Sequence, residues 1–205
     1  MGFGLLFLGY LFMYSFPYKG FDMTPDIIGF VISYFGVRKL AEYGCGWDIL
    51  KRYMALMLPA GAVTTVLQVL LLLGIDLHVY DYWAYGYTAL LMVYNILLLL
   101  AVYKIADDTE VRSIKAKAKR NMILGIAYYC VMLIIDVPIS AVQNVKNHLS
   151  SLMPLGFIIF VFGYLWLFLN LSAIFSCYMW ICAPGDEDMP VKESRFSKKK
   201  KEEEQ

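Results

Sequence analysis

The chain is poor in charge and almost without histidine. Of its 205 residues 17% are Asp, Glu, Lys or Arg, and only two are His. A soluble domain usually carries about a quarter of its residues charged. Four cysteines, Cys45, Cys130, Cys177 and Cys182, form no CxxC pair, which argues against a thiol-redox or zinc motif and leaves them as small apolar residues or free thiols. There is no HExxH, no GxSxG and no GxxxxGK[ST], so the sequence offers no metalloprotease, no nucleophile elbow and no nucleotide-binding loop. No acidic pair suited to an intramembrane protease stands within an apolar run. The expectation is a protein that is not an enzyme and carries no cofactor. Ahead of the first apolar run there is no basic segment, and no small-residue cleavage site follows it, so no cleavable signal is expected. The opening MGFGLL lacks the Ser or Thr of an N-myristoylation motif.

What the chain has in abundance is apolar sequence. Hydrophobic residues make up 60% of it, and the mean hydropathy is +0.60. They fall in long runs divided by short charged segments, the distribution of a polytopic membrane protein. Four runs supply the roughly 20 apolar residues that a span needs: Tyr53–Ile75, Trp83–Tyr103, Met122–Ala141 and Leu155–Cys182. Two earlier runs, Gly2–Phe16 and Ile27–Val37, are shorter. The Ile27–Val37 run has a marked start, with Thr24 as N-cap, Pro25 at the first helical position and Asp26 in the first turn. These two runs read as thin spans or as a re-entrant hairpin. The fold expected is all-α: a polytopic transmembrane bundle of about six spans over residues 1–183, with a charged, disordered cytoplasmic tail over 184–205.

Positive charge orients the bundle. Arg38–Arg52 carries four Lys or Arg, Lys104–Arg120 carries six, and the tail after Cys182 carries six more. The segments between, Asp76–Tyr82 and Val142–Pro154, carry none and one. Lys and Arg collect on the cytoplasmic side, so both termini are expected there. Trp83, Trp180, Tyr43, Tyr53, Tyr80, Tyr82 and Tyr103 near span ends read as interfacial aromatics.

The cytoplasmic stretch DDTEVRSIKAKAKRN, Asp107–Asn121, places acids before bases and reads as a short separate helix. Its Lys115, Lys117, Lys119 and Arg120 are candidates for anionic lipid headgroups. Their membrane-flanking position excludes a nucleic-acid partner. The partners expected are the bilayer and another membrane protein or a second copy of the chain. Gly2 and Gly9, and likewise Gly29 and Gly36, are spaced to share a helix face, suited to a tight hairpin or an oligomer face.

Strongly polar residues inside spans are the natural functional candidates. These are Gln68, Asn95, Asp136 and Asn170, with Asn95 near mid-span and Asn170 further in, so that they form no single layer. Asp136 in LIIDVPIS sits roughly 7 Å from the outer end of its span by helical rise. Pro138 frees the carbonyl of Ile134, and the helix is expected to break or end there. Gln68, Asn95 and Asp136 are the candidate substrate or ion ligands, with Gln68 and Asp136 meeting if their spans are neighbours. Asp76, His78, Asp81 and His148 on the outer side are the candidate metal ligands.

The opening MGFGLLFLGY and the closing CAPGDEDMPVKESRF resemble an uncharacterised family of small multi-pass membrane proteins from clostridia and related Firmicutes. The resemblance implies a bacterial plasma membrane and assigns no functional residue. Two functions are expected: an accessory, scaffold or regulatory membrane subunit, or a small transporter or membrane-embedded substrate-binding subunit with an outward-facing polar pocket. In architecture a substrate-binding subunit of this kind resembles the substrate-capture subunits of bacterial vitamin importers, although GFGLLFLGY lacks their AxxxA.

Overall fold

In lipid every backbone N–H and C=O must be satisfied within its own segment, so long apolar runs become helices. Among the described residues six α-helices follow: α1 Gly2–Phe12, α2 Asp26–Leu40, α3 Trp47–Leu72, α4 His78–Asp108, α5 Arg112–Ala141 and α6 Leu149–Trp180. A two-residue antiparallel pairing, β1 Pro17–Tyr18 with β2 Phe21–Asp22, lies between α1 and α2. This computed structural model describes residues 2–13, 17–18, 21–22, 26–44, 46–75, 78–141 and 149–181. Among the described residues the fold is helical apart from that pairing. Among the described residues three segments, Trp47–Leu71, Tyr82–Asp108 and Phe157–Trp180, are long and apolar enough to cross a membrane.

Each helix packs against its neighbours in sequence, and α6 returns to α1, so the six close a ring in chain order. The seams run antiparallel. Gly9 of α1 lies against Gly29 and Ser33 of α2, while Gly2 lies against Gly36 and Leu40. On α3, Tyr53 donates to the Leu90 carbonyl of α4 at 2.9 Å, and further along Thr64 accepts from Trp83 at 2.9 Å. Lys117 of α5 meets Ser176 of α6, whereas Tyr128 meets Phe162. Phe7 and Tyr10 of α1 meet Phe175 and Asn170 of α6. The starts of α1, α3 and α5 therefore share one end of the ring with the ends of α2, α4 and α6. That end carries Arg38, Lys39, Lys51, Arg52, Lys104 and Lys115.

The glycine pairs thus serve an internal hairpin. A Cβ on Gly29 would stand 2.6 Å from the Met13 nitrogen and 2.8 Å from the Gly9 carbonyl oxygen, so these backbones meet with no room for a side chain. At the basic end of the ring the core is solid, with Leu6, Met54, Met57, Leu98, Val102, Ile174 and Cys177 buried. Outward faces are apolar instead: Leu56, Val63, Val66 and Val69 on α3, and Phe157, Ile158, Leu165 and Phe168 on α6, are exposed. Monomeric soluble proteins seldom expose so much contiguous apolar surface.

Two boundaries differ from expectation. The separate helix over Asp107–Asn121 does not exist. α4 runs on to Asp108, and a tight turn with Val111 N–H bonded to the Ala106 carbonyl at 3.0 Å leads straight into α5. Neither does α5 stop near Asp136: it continues through Pro138 to Ala141, as membrane helices do when neighbouring groups take up the freed carbonyl. α1 and α2 have 11 and 15 residues, roughly 16 and 22 Å of helix.

Candidate functional site

Four helices send polar side chains to one buried point. The Tyr10 hydroxyl of α1 donates to Asn95 Oδ1 of α4 at 2.7 Å. It also accepts from Asn170 Nδ2 of α6 at 2.8 Å. The Asn95 amide in turn donates to the Tyr129 hydroxyl of α5 at 2.9 Å and to the Leu91 carbonyl one turn back, also at 2.9 Å. All four residues are buried. Neutral amides and phenols suit this position, because each hydrogen bond offsets the cost of removing a polar group from water without a charge to solvate.

Above this network, on the side away from the basic end, lies a cavity of about 360 Å³. It is bounded by the end of α1 (Met13), the first half of α4 (Thr88, Leu91), the later part of α5 (Tyr128, Met132) and the early part of α6 (Phe160, Tyr164). Tyr10, Asn95 and Tyr129 reach it from the network, and Tyr94 and Trp166 complete the wall. Seven of these side chains are aromatic and none is charged. The volume is near the lower end of the usual range for small-molecule pockets.

Trp166 is the most firmly held wall. Its indole N–H donates to the Asn121 carbonyl at 2.9 Å, and the Asn121 amide donates to the Leu169 carbonyl at 2.8 Å. The indole lies against Gly125, where a Cβ would meet its ring at 2.6 Å. Tyr128 stacks on it at 5.9 Å and 23°, and Tyr129 meets it edge-on at 5.6 Å and 89°. Reciprocal bonding fixes this ring before any ligand arrives.

Of the residues singled out from sequence, Asn95 is at the centre of the site. Asn170 joins it through Tyr10, whose side chain bridges the depth that separates them. Gln68 is half-buried on α3 and is not part of the cavity wall. Among the described residues α3 does not pack against α5, so no seam is shown on which Gln68 would meet Asp136. Asp136 stands on α5, but its side chain lies outside the described residues, as do Asp76, His148 and the side chains of His78 and Asp81. Among the described residues no three His, Cys, Asp or Glu gather closely enough to hold a metal. Cys45, Cys182 and the tail are likewise outside the described residues.

The basic cluster is partly engaged within the protein. Lys115 is paired with Asp107 and lies over the Tyr103 ring at 5.1 Å. Its hydrogen bond to the Asp107 carboxylate raises the Lys115 ammonium above its ordinary 10.5. Lys117 donates to Ser176 at 2.9 Å. Lys119 and Arg120 are exposed.

Sequence reasoning passes over Tyr10 and Tyr129, which resemble any other aromatics in apolar runs. It also takes Asp26 only for a first-turn residue. Asp26 is buried and accepts the Tyr87 hydroxyl at 2.5 Å, tying α2 to α4. No family model, curated protein or solved structure matches the chain.

Proposed function

We propose that this is a multi-pass protein of a bacterial plasma membrane that binds a small uncharged molecule in its aromatic cavity, as a membrane-embedded substrate-binding subunit. All six helices belong to the membrane part, α1 and α2 as a short tight hairpin, and both termini are cytoplasmic. The basic end of the ring supports that orientation, since Lys and Arg concentrate on the cytoplasmic side. The cavity then faces outward. The ends MGFGLLFLGY and CAPGDEDMPVKESRF remain the basis for assigning the chain to the small clostridial membrane-protein family.

The observation that carries the reading is the cavity itself: about 360 Å³, seven aromatic walls, no charged residue among its described lining, and a floor of hydrogen-bonded amides and phenols. A scaffold has no need of such a space. A channel would need an opening below it, where Leu6, Leu98, Val102 and Ile174 are buried instead. A capture site closed at its base matches both features, and the apolar outer faces leave room for a partner subunit in the membrane.

Thermal unfolding of the detergent-purified protein, with uncharged and charged aromatic compounds added in turn, tests the reading. An uncharged compound at a hundred times its Kd stabilises by about 2.7 kcal/mol and raises Tm. Thr88→Phe, which fills the cavity, should abolish that rise. If no uncharged compound raises Tm, or if Thr88→Phe responds like the wild type, the proposal fails.

A further inference from the structure

We infer that the outward side of the α5–α6 seam, towards the basic end of the ring, holds the phosphate headgroup of an anionic phospholipid between Lys117 and Arg120. This site stands apart from the cavity. It takes from the reading above only that α5 and α6 lie in the membrane.

The run KAKAKR, residues 115–120, is divided by the helix that carries it. Lys115 turns to α4, where it meets Asp107 and the Tyr103 ring, and Lys119 follows one turn on. Lys117 turns to α6 instead and donates to the Ser176 hydroxyl at 2.9 Å. Arg120, one turn beyond Lys117, directs Nε and Nη2 at Asn121 Oδ1, both at 3.4 Å. Asn121 in turn donates to the Leu169 carbonyl of α6 at 2.8 Å. Lys117 and Arg120 therefore stand together along α6, and Arg120 is exposed.

Their depth sets the chemistry. The apolar segment of α6 ends at Trp180. Ser176 and Leu169 are four and eleven residues inside that end, roughly 6 and 16 Å of helical rise. The two cations thus lie beside the apolar segment and not beyond it. Side chains on a helix lean towards its N-terminus, which for α5 is the basic end, so both reach towards the headgroup level. Their described partners, Ser176 and Asn121, are neutral: they take up N–H donors and cancel no charge. A cation at this depth is costly without an anion. The two free oxygens of a phosphodiester suit the guanidinium fork and the ammonium together.

The flanks suit a lipid. Ser172, whose carbonyl accepts the Ser176 hydroxyl at 2.7 Å, is exposed one turn further into the membrane. Beyond it Leu165 and Phe168 of α6 are exposed. Ala127 and Val131 of α5, seven and eleven residues after Arg120 and so on its face, are exposed as well. Acyl chains would lie along these side chains. Trp180, one turn past Ser176 and 59% exposed, stands where aromatics meet headgroups.

The test uses the full chain in phosphatidylcholine vesicles and reads the fluorescence that separates wild type from Trp180→Phe. Phosphatidylglycerol or phosphatidylcholine with brominated acyl chains is included at low mole fraction as the quencher. Phosphatidylglycerol should quench the Trp180 signal at a mole fraction about 25-fold lower, about fivefold for each of two cations. Lys117→Gln combined with Arg120→Gln should erase this preference. Lys115→Gln combined with Lys119→Gln, which removes equal charge on the α4 side, should keep most of it. Equal loss in the two pairs would mean a diffuse basic surface and overturns the site. A wild type without preference overturns it too; a preference that then emerges on neutralising Asp186, Glu187 and Asp188 assigns the cations to the tail. Inorganic phosphate at constant ionic strength should leave the quenching unchanged, and relief of quenching would give the site to free phosphate instead of lipid. Should the Lys117 and Arg120 variant fail to fold, Ser172→Phe, which fills the exposed side of the seam, should lower the preference several-fold. An unchanged preference contradicts the proposal.

Discussion

Tyr10 and Asn95, 85 positions apart in sequence, are joined at 2.7 Å by a hydrogen bond from the tyrosine hydroxyl to the amide oxygen. This bond ties the first helix of the ring to the fourth, and the Asn170 and Tyr129 bonds extend it to the sixth and fifth. Tyr10→Phe withdraws the group shared by two buried amides, at a cost of about 1–3 kcal/mol. A double-mutant cycle with Asn95→Leu, followed by reversible unfolding in mixed micelles, should give a coupling of about 0.6 kcal/mol and at most about 1.7. Strict additivity would mean that the bond does not form.

The α1–α2 hairpin makes a contrasting pair of predictions. Gly29→Ala forces a Cβ to within 2.6 Å of the Met13 nitrogen and should destabilise by about 1–3 kcal/mol through overpacking. Gly86→Ala, in α4 with nothing within 4 Å of its Cβ, should be neutral or stabilise by roughly 0.5–1 kcal/mol. Thermal unfolding of the two variants side by side checks both. Equal behaviour would remove the close hairpin from the account.

How much of the fold and the site is legible in the sequence differs from residue to residue. Helical class, the long apolar segments and the clustering of Arg38, Lys39, Lys51, Arg52 and Lys104 follow from composition and spacing, which act locally. Asn95 stands out because an amide in an apolar run is costly unless partnered. Tyr10 and Tyr129 do not, because a tyrosine in such a run reads equally well as core, interface or site. Only the closure of α6 onto α1 decides between these, and ring closure is a long-range fact. The extent of α4 and α5 escapes the sequence for a similar reason. The charge-rich stretch Lys104–Arg120 has the composition of a loop, whereas the Lys115–Asp107 and Lys117–Ser176 contacts let helices continue beyond the apolar segment.

Lys115 gives a pH dependence of known sign. Asp107 raises its ammonium above the ordinary 10.5, so the pair contributes below that pH and its contribution is lost as pH rises through the folded-state value. Asp107→Asn should lower the Lys115 titration midpoint toward 10.5, as read by NMR of ¹³C-dimethylated lysines. The pair is exposed, 36% and 54% for its two side chains, so Lys115→Met should leave Tm at neutral pH essentially unchanged.

The proposed orientation is open to labelling in whole cells after replacement of the four native cysteines. Glu110→Cys, in the turn between α4 and α5, should react with a membrane-impermeant maleimide only after lysis. Val79→Cys, at the start of α4 and 65% exposed, should react in intact cells. The reverse pattern would invert the protein and turn the cavity toward the cytoplasm.

The most direct test of the central claim is native mass spectrometry of the gently purified protein. The account predicts a wild-type species carrying one small uncharged molecule, released on activation, and no such species in Thr88→Phe of matched Tm. A wild type with the bare mass of the chain after incubation with 1-nitronaphthalene, or an identical adduct on Thr88→Phe, would contradict it.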